Sequence, residues 1–116
     1  MDIICLQEYK LDLVIGVYAW ERHLPQTVQL DIEIGLPVGA GQTDRLEDTI
    51  DYGGVVQAIE ASIQQRHFDL LETFAEHIAQ LIRNDFKAPW VRISVTKLGM
   101  LSNIKRVGLT IERGQR

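Results

Sequence analysis

The feature that most constrains the fold is a strict alternation of apolar and polar residues. It is clearest at positions 28–36, where Val, Leu, Ile, Ile and Leu alternate with Gln, Asp, Glu and Gly between Pro25 and Pro37. A second segment, 91–97, alternates Val91, Ile93 and Val95 with polar residues. This period of two indicates strands with one buried face. Both segments therefore predict strands of a sheet that is covered on one side.

The remaining patterns complete a ββααββ order. Strand 1 is predicted within 2–17, strand 2 at 28–36, helices at about 52–66 and 70–86, strand 3 at 90–97, a loop at 98–105 and strand 4 around 107–112. Four amphipathic strands and two helices predict an α+β fold, an antiparallel sheet with both helices on one face. The edges of so small a sheet need covering, so we expect a symmetric oligomer.

Bulk properties limit the classes of function. The 116 residues suffice for a single domain, 1–116. A net charge of -4 argues against nucleic acid or an acidic membrane as partner. The longest apolar run, 14–20, is far below the roughly 18 residues that span a bilayer. The N-terminus does not look like a signal peptide, and Cys5 is the only cysteine, which fits the cytoplasm.

Metal and cysteine chemistry find little support in the sequence. His23, His67 and His77 do not have the i, i+4 spacing of a helical zinc pair, and Cys5 has no neighbouring ligand or histidine. No metal and no cofactor are expected.

Lys97 occupies the next buried position after Val95 in the alternation of strand 3. Its alkyl stem could cover apolar surface while the ammonium group reaches water. Alternatively, the amine is desolvated and suited to acid–base catalysis. The alternation leaves both interpretations open and favours the first.

Glu72 also has two interpretations. Asp69 and Glu72 have the spacing of a capping box at the start of helix 2, and the pattern alone favours this role. The functional alternative is a carboxylate at the mouth of a pocket, where it could bind two adjacent N–H donors of a planar ring.

Two further side chains have a structural and a functional interpretation. Tyr52 opens helix 1 and either packs beside a cap made by Asp51 or Thr49, or supplies a phenol to a proton path. Glu21 lies in the turn between strands 1 and 2, where a surface carboxylate is the default expectation.

The chain as a whole resembles the dihydroneopterin aldolase family. The resemblance rests on five stretches in the same order and spacing: IGVYAWE at 15–21, IDYGGVVQAIE at 50–60, FDLLETFAEHIAQLI at 68–82, PWVRISVTK at 89–97 and VGLTIERG at 107–114. It implies the tunnelling fold, in which the sheets of four subunits close into a barrel and two rings stack into a homo-octamer with active sites between subunits.

The resemblance also implies a reaction and its residues. The substrate would be the pterin 7,8-dihydroneopterin, cleaved by a retro-aldol step to 6-hydroxymethyl-7,8-dihydropterin and glycolaldehyde without metal or Schiff base. Lys97 would transfer protons, with Glu21 as a supporting acid–base group. Glu72, assisted by the backbone of Leu71, would hold the pterin edge. Tyr52, with backbone around Ile50 and Asp51, would come from the neighbouring subunit.

Two alternatives remain open at the level of sequence. Leu98 follows Lys97, as it tends to in the related 2′-epimerase of dihydroneopterin triphosphate, although only Lys105 and Arg106 offer a basic pair for a triphosphate. The second alternative is a non-catalytic pterin-binding assembly protein of the same fold.

Overall fold

The computed structural model of the chain describes residues 1–101 and 103–116, with their side chains except those at 99–101. The elements in chain order are β1 (Ile3–Ile15), β2 (Gln26–Gly35), α1 (Tyr52–Ile63), β3 (His67–Phe68), α2 (Leu71–Asp85), β4 (Trp90–Leu101) and β5 (Ile104–Gly114). A short 3-10 turn, Ala19–Arg22, connects β1 to β2. The predicted order is confirmed, with one additional strand.

The strands form one sheet in the order β3-β1-β2-β4-β5. All neighbours are antiparallel except β3, which pairs in parallel with the end of β1 at Val14 and Ile15. The alternation did not predict β3, because a two-residue strand is too short to have a period. β4 is an interior strand, and its Lys97 stands between Val28 of β2 and Val107 of β5.

Several predicted boundaries need correction. Helix α1 ends at Ile63 rather than at 66, because the chain becomes extended at Gln64 and left-handed at Gln65. The predicted loop at 98–105 is wrong in its described part, since β4 continues to Leu101 and β5 begins at Ile104. Position 102 lies outside the described residues. Strand β1 contains a bulge between Leu6 and Tyr9, with Glu8 at a φ of 55°.

The core lies between the helices and one face of the sheet. Its buried members include Phe74, Ile78 and Ile82 of α2, Val55 and Ile59 of α1, and Leu30, Ile32, Ile93 and Val95 of β2 and β4. Each such side chain contributes about 1.5–3 kcal/mol on burial. The predicted helices on one face are confirmed, and β4 is paired on both sides where it carries Lys97.

His77 of α2 connects three elements near the end of α1. Its Nδ1 accepts a hydrogen bond from the guanidinium of Arg66 (3.3 Å), and its Nε2 donates to the hydroxyl of Ser62 (2.8 Å). The hydroxyl of Ser62 itself donates to the Ile59 carbonyl, which leaves its oxygen to accept from His77. The ring also packs 5.4 Å from that of Phe68 in β3. These partners fit a neutral imidazole.

Burial and the positive charge of Arg66 lower the pKa of His77 below its ordinary value of 6.5. The unfolded chain therefore binds a proton at this residue at higher pH than the folded chain. The stabilisation is complete above about 6.5 and is lost as the pH falls through the lower, folded pKa.

We therefore predict that His77→Gln reduces the acid sensitivity of the fold. Between pH of about 7 and about 5, the free energy of unfolding of the unsubstituted protein should fall more steeply than that of the variant, by up to about 1.4 kcal/mol per pH unit. Chemical denaturation at each pH measures the difference. His23→Gln, at an exposed position, is the matched control. Parallel pH dependences of all three proteins would contradict the prediction.

Candidate active site

Two charged side chains are buried together at the end of the sheet. The ammonium nitrogen Nζ of Lys97 lies 2.6 Å from Oε2 of Glu21, a residue 76 positions away in the sequence. Lys97 is 7% exposed and Glu21 only 2%. The default expectation of a surface carboxylate at Glu21 is therefore wrong, as is that of a Lys97 ammonium reaching water. Of the two interpretations of Lys97, the structure supports the desolvated amine.

Glu21 becomes buried because of the backbone at the end of β1. Gly16 has a φ of +133°, a conformation that L side chains rarely adopt, and its amide donates to the carbonyl of Phe68 in β3 (2.8 Å). This conformation turns the chain into Ala19–Arg22, from which the side chain of Glu21 points back over Gly16. A Cβ at position 16 would overlap the Glu21 carboxyl group.

Both oxygens of the Glu21 carboxylate have further donors. Oε1 accepts from the backbone N–H of Tyr18 (3.2 Å), and Oε2 accepts from the side-chain amide of Gln26 (3.1 Å) as well as from Lys97. Burial alone would raise the pKa of Glu21, but the hydrogen bonds from Lys97, Gln26 and Tyr18 outweigh it and hold the pKa below its usual value. Glu21 is thus an anion that neutralises the Lys97 ammonium.

A cleft of about 240 Å³ opens onto this ion pair. Besides Lys97 and Glu21, the lining is mainly apolar, with Val17, Leu70, Leu71 and Val107, and it also includes Gly16, Tyr18 and the acidic Asp69. A mainly apolar cleft with a buried ammonium group in its lining suits a planar ring whose reactive atom lies near the amine. The larger cleft of about 590 Å³, lined in part by Leu11, Leu13 and Ile63, contains neither member of the buried pair.

Of the other predicted site residues, only Leu71 lines the cleft of Lys97. The exposed Glu72 lines a neighbouring groove on α2. Ile50 is buried, Asp51 caps α1 by accepting from the N–H of Gly54 (3.1 Å), and Tyr52 is 57% exposed. Within one chain these three do not line the cleft of Lys97.

The capping box predicted for Asp69 and Glu72 does not form. Leu70 is the N-cap residue of α2, and no side chain caps it. The Asp69 carboxylate instead lies 2.7 Å from Nε2 of His67 and 3.7 Å from the guanidinium of Arg22. Glu72 is thereby free of that structural role.

Sequence reasoning missed Gly16 and Gln26. A signal for Gln26 was present, because it precedes Val28 by two residues and so shares the buried face of β2. The same parity argument singled out Lys97. The requirement for glycine at position 16 depends on the packed position of Glu21, which no local pattern contains.

Neither a metal-binding cluster nor a membrane-spanning helix occurs in the described residues. Within 1–101 and 103–116, no group of three or more His, Cys, Asp or Glu side chains is arranged to hold a metal ion. No helix in the same ranges is long and apolar enough to cross a membrane.

Comparison with known proteins decides the family. The sequence profile of the family described as dihydroneopterin aldolase matches residues 4–112, nearly the whole chain. The chain belongs to the dihydroneopterin aldolase family.

Individual relatives agree with this assignment. The dihydroneopterin aldolase of Escherichia coli K12 is 33% identical over 98% of this chain and 94% of its own length. The enzyme of that name from Haemophilus influenzae is 29% identical, with 98% of each chain covered.

Solved structures of the family have the same fold. The crystal structure of E. coli dihydroneopterin aldolase with neopterin superposes with a TM-score of 0.90 at 33% identity, covering 98% of this chain and all (100%) of that one. A Vibrio cholerae protein provisionally named dihydroneopterin aldolase gives a TM-score of 0.91 at 39% identity, with coverages of 99% and 98%. The expected family fold is thereby confirmed.

We predict that Gly16→Ala strongly destabilises this family member. The substitution places a side chain at a φ of +133° and displaces the Glu21 carboxylate from its donors, so the free energy of unfolding should fall by about 3 kcal/mol. Gly41→Ala is the control, because a Cβ there meets no atom within 4 Å. Denaturant unfolding followed by circular dichroism compares the two, and similar midpoints would refute the packing argument.

Proposed function

We propose that this protein is a dihydroneopterin aldolase of folate biosynthesis. It cleaves 7,8-dihydroneopterin into 6-hydroxymethyl-7,8-dihydropterin and glycolaldehyde. The observation that carries the proposal is the buried pair of Lys97 and Glu21 at the floor of an apolar cleft. The family match over residues 4–112 and the E. coli relative solved with neopterin support a pterin as the ring that the cleft receives.

The reaction is a retro-aldol cleavage. A base removes the proton from the 2′-hydroxyl, that oxygen becomes the carbonyl of glycolaldehyde, and the C1′–C2′ bond breaks. Its electron pair moves into the C6=N5 imine of the ring. C1′ then takes up a proton and the imine is restored. Because the substrate supplies its own electron sink, the step needs neither a lysine imine nor a metal for this purpose.

Lys97 is proposed to transfer protons near N5, through a water molecule, and to stabilise the charge that develops there. An ammonium paired with a carboxylate at 2.6 Å is a poor nucleophile, which supports this role rather than that of a Schiff base. Glu21, held as an anion by its three donors, supports the proton transfer by keeping the Lys97 ammonium in place.

Binding of the pterin is proposed to involve Glu72 and the backbone of Leu71. Leu71 lines the cleft and Glu72 follows it at the start of α2, so a ring lying on Leu71 can present its 2-amino and N3–H edge to the carboxylate. Two adjacent donors on one carboxylate form a strong, oriented contact. Tyr52, with backbone at Ile50 and Asp51, is proposed to complete the site from a neighbouring subunit, consistent with the exposed phenol of Tyr52.

The proposed assembly is a homo-octamer of two tetrameric rings, each subunit being a single domain over residues 1–116. Both helices share one core with the sheet, which supports the single domain. Within the described chain, the outer edge of β5 is unpaired, and the outer edge of β1 is paired only at Val14 and Ile15, and such edges need covering. The proposed compartment is the cytoplasm, where an exposed lone thiol such as Cys5 stays reduced.

Product analysis tests the proposed activity. The protein is incubated separately with dihydroneopterin and with its triphosphate, and the products are resolved by chromatography. Release of glycolaldehyde from the unphosphorylated substrate is expected. Clean isomerisation of the triphosphate at C2′ without cleavage would instead indicate the epimerase, and pterin binding without turnover would indicate a non-catalytic protein.

Lys97→Ala is predicted to abolish turnover while pterin binding survives. Since removal of one partner leaves Glu21 buried and unpaired, at a cost of about 3–5 kcal/mol, Lys97→Gln is the companion variant, because its amide can still donate to Glu21. Turnover should fall by about 100-fold or more, with the dissociation constant for neopterin changed by less than about threefold. Loss of neopterin binding with an intact chemical step would contradict the role of Lys97.

Glu72→Ala is predicted to act mainly on binding. It removes two charge-assisted hydrogen bonds to the ring, so the dissociation constant for neopterin should rise by about 100-fold or more. Glu33→Ala, on β2 and part of an exposed ion pair with Arg92 (3.7 Å), is the charge-matched control. Fluorescence titration measures both, and an unchanged dissociation constant for Glu72→Ala would refute the anchoring role.

A further inference from the structure

Gln26 is the first residue of β2 and stands at the rim of the buried ion pair. It pairs in register with Leu13 of β1 and precedes Val28 by two residues. Val28 is the register partner of Lys97. Because side chains two apart on a strand share a face, Gln26 lies on the same face of the sheet as Lys97. It is half-buried.

The side-chain amide of Gln26 makes two hydrogen bonds that fix its orientation. Its Nε2 donates to the backbone carbonyl of Ile15 (2.7 Å) and to Oε2 of Glu21 (3.1 Å). A backbone carbonyl and a carboxylate can only accept, so the nitrogen, not the oxygen, must face both. The amide thus joins the last residue of β1 to the carboxylate.

These bonds determine how Glu21 meets Lys97. Oε2 of Glu21 has two donors, the Lys97 ammonium and the Gln26 amide, while Oε1 is held by Tyr18 N–H. With Gln26 removed, only the flexible lysine would hold Oε2. The lysine and the carboxylate could then move together away from the cleft. With Gln26 present, its amide links Oε2 of Glu21 to the backbone carbonyl of Ile15.

We propose that Gln26 is a positioning residue, which sets the Glu21 carboxylate and, through it, the Lys97 ammonium in the geometry needed for proton transfer in the cleft. The proposal rests on the proposed aldolase function for its kinetic consequence. Gln26 is not among the residues that line the cleft, so its effect passes through Glu21. Proton transfer is sensitive to misplacement by a fraction of an ångström to one ångström, which makes such a support measurable.

The first test is Gln26→Leu, with Gln29→Leu as control. Gln29 is on the same strand and comparably buried but has the opposite parity, and it pairs with Lys10 and Thr96. We expect kcat of Gln26→Leu to fall by about 10- to 100-fold, with the dissociation constant for neopterin within about threefold of the unsubstituted protein. Gln29→Leu should leave both unchanged. An equal kcat in the two variants would overturn the proposal.

Gln26→Glu provides a second, size-matched test. It places a second carboxylate beside Glu21, and like charges at this distance raise the apparent pKa of the pair. The acidic limb of the kcat profile should shift to higher pH, whereas Gln29→Glu should not shift it. A merely structural role of Gln26 would lower the melting temperature without moving this limb, and that result would overturn the proposal.

A measurement without substrate tests the positioning role of Gln26 separately from the proposed aldolase activity. In pterin-free protein labelled with ¹³C at the glutamate carboxyl, the pKa of Glu21 should be higher in Gln26→Leu than in the unsubstituted protein, because one stabilising donor is lost. If the unsubstituted protein does not cleave dihydroneopterin, the aldolase proposal fails while this titration still decides the role of Gln26. An unmoved pKa of Glu21 would overturn the positioning role.

Discussion

The contact between the Lys97 ammonium and the Glu21 carboxylate is the interaction on which the candidate site depends. Both groups lose most of their water, and such a pair is tolerated only when the remaining hydrogen-bonding capacity is used. Here Tyr18 N–H and the Gln26 amide supply the missing donors to the carboxylate. The outcome is a buried ion pair without net charge, whose ammonium group borders a mainly apolar cleft. A pterin ring in the cleft would meet that ammonium group at short range.

The fold delivers the two partners by different means. Lys97 needs a central strand with neighbours on both sides, and β4 between β2 and β5 provides this. Glu21 needs a turn that reverses direction at the end of β1, and Gly16 provides this through its positive φ. The first requirement is met by regular alternation along a strand, and the second by one residue without a side chain. The site therefore combines a regular strand, β4, with an irregular turn at Gly16.

This difference between a regular strand and an irregular turn explains which parts of the structure could be predicted from the sequence. Alternation predicted β2 and β4 and the inward direction of Lys97 because the period of two is set by backbone geometry. The first half of β1 alternates less clearly because the bulge at Glu8 shifts the phase between Leu6 and Tyr9.

Features that depend on tertiary packing escaped prediction. The burial of Glu21 follows from the turn at Gly16, and Asp69 contacts His67 rather than capping α2. The family resemblance, carried by long stretches rather than by local rules, predicted a functional role for Glu21 where the pattern alone did not. Neither route pointed to Gln26, although its parity on β2 equals that of Val28.

The hydrogen bond from the Gly16 amide to the Phe68 carbonyl joins the turn that carries Glu21 to the segment that leads into α2. Two sides of the cleft, at Val17 and at Leu70, are therefore fastened to each other although they are distant in sequence. Val107, on the opposite side, belongs to the edge strand β5. Its place in the cleft is set by its pairing in register with Lys97, so the cleft is bounded on one side by the ladder of the sheet and on the others by a turn and a helix start that share one backbone hydrogen bond.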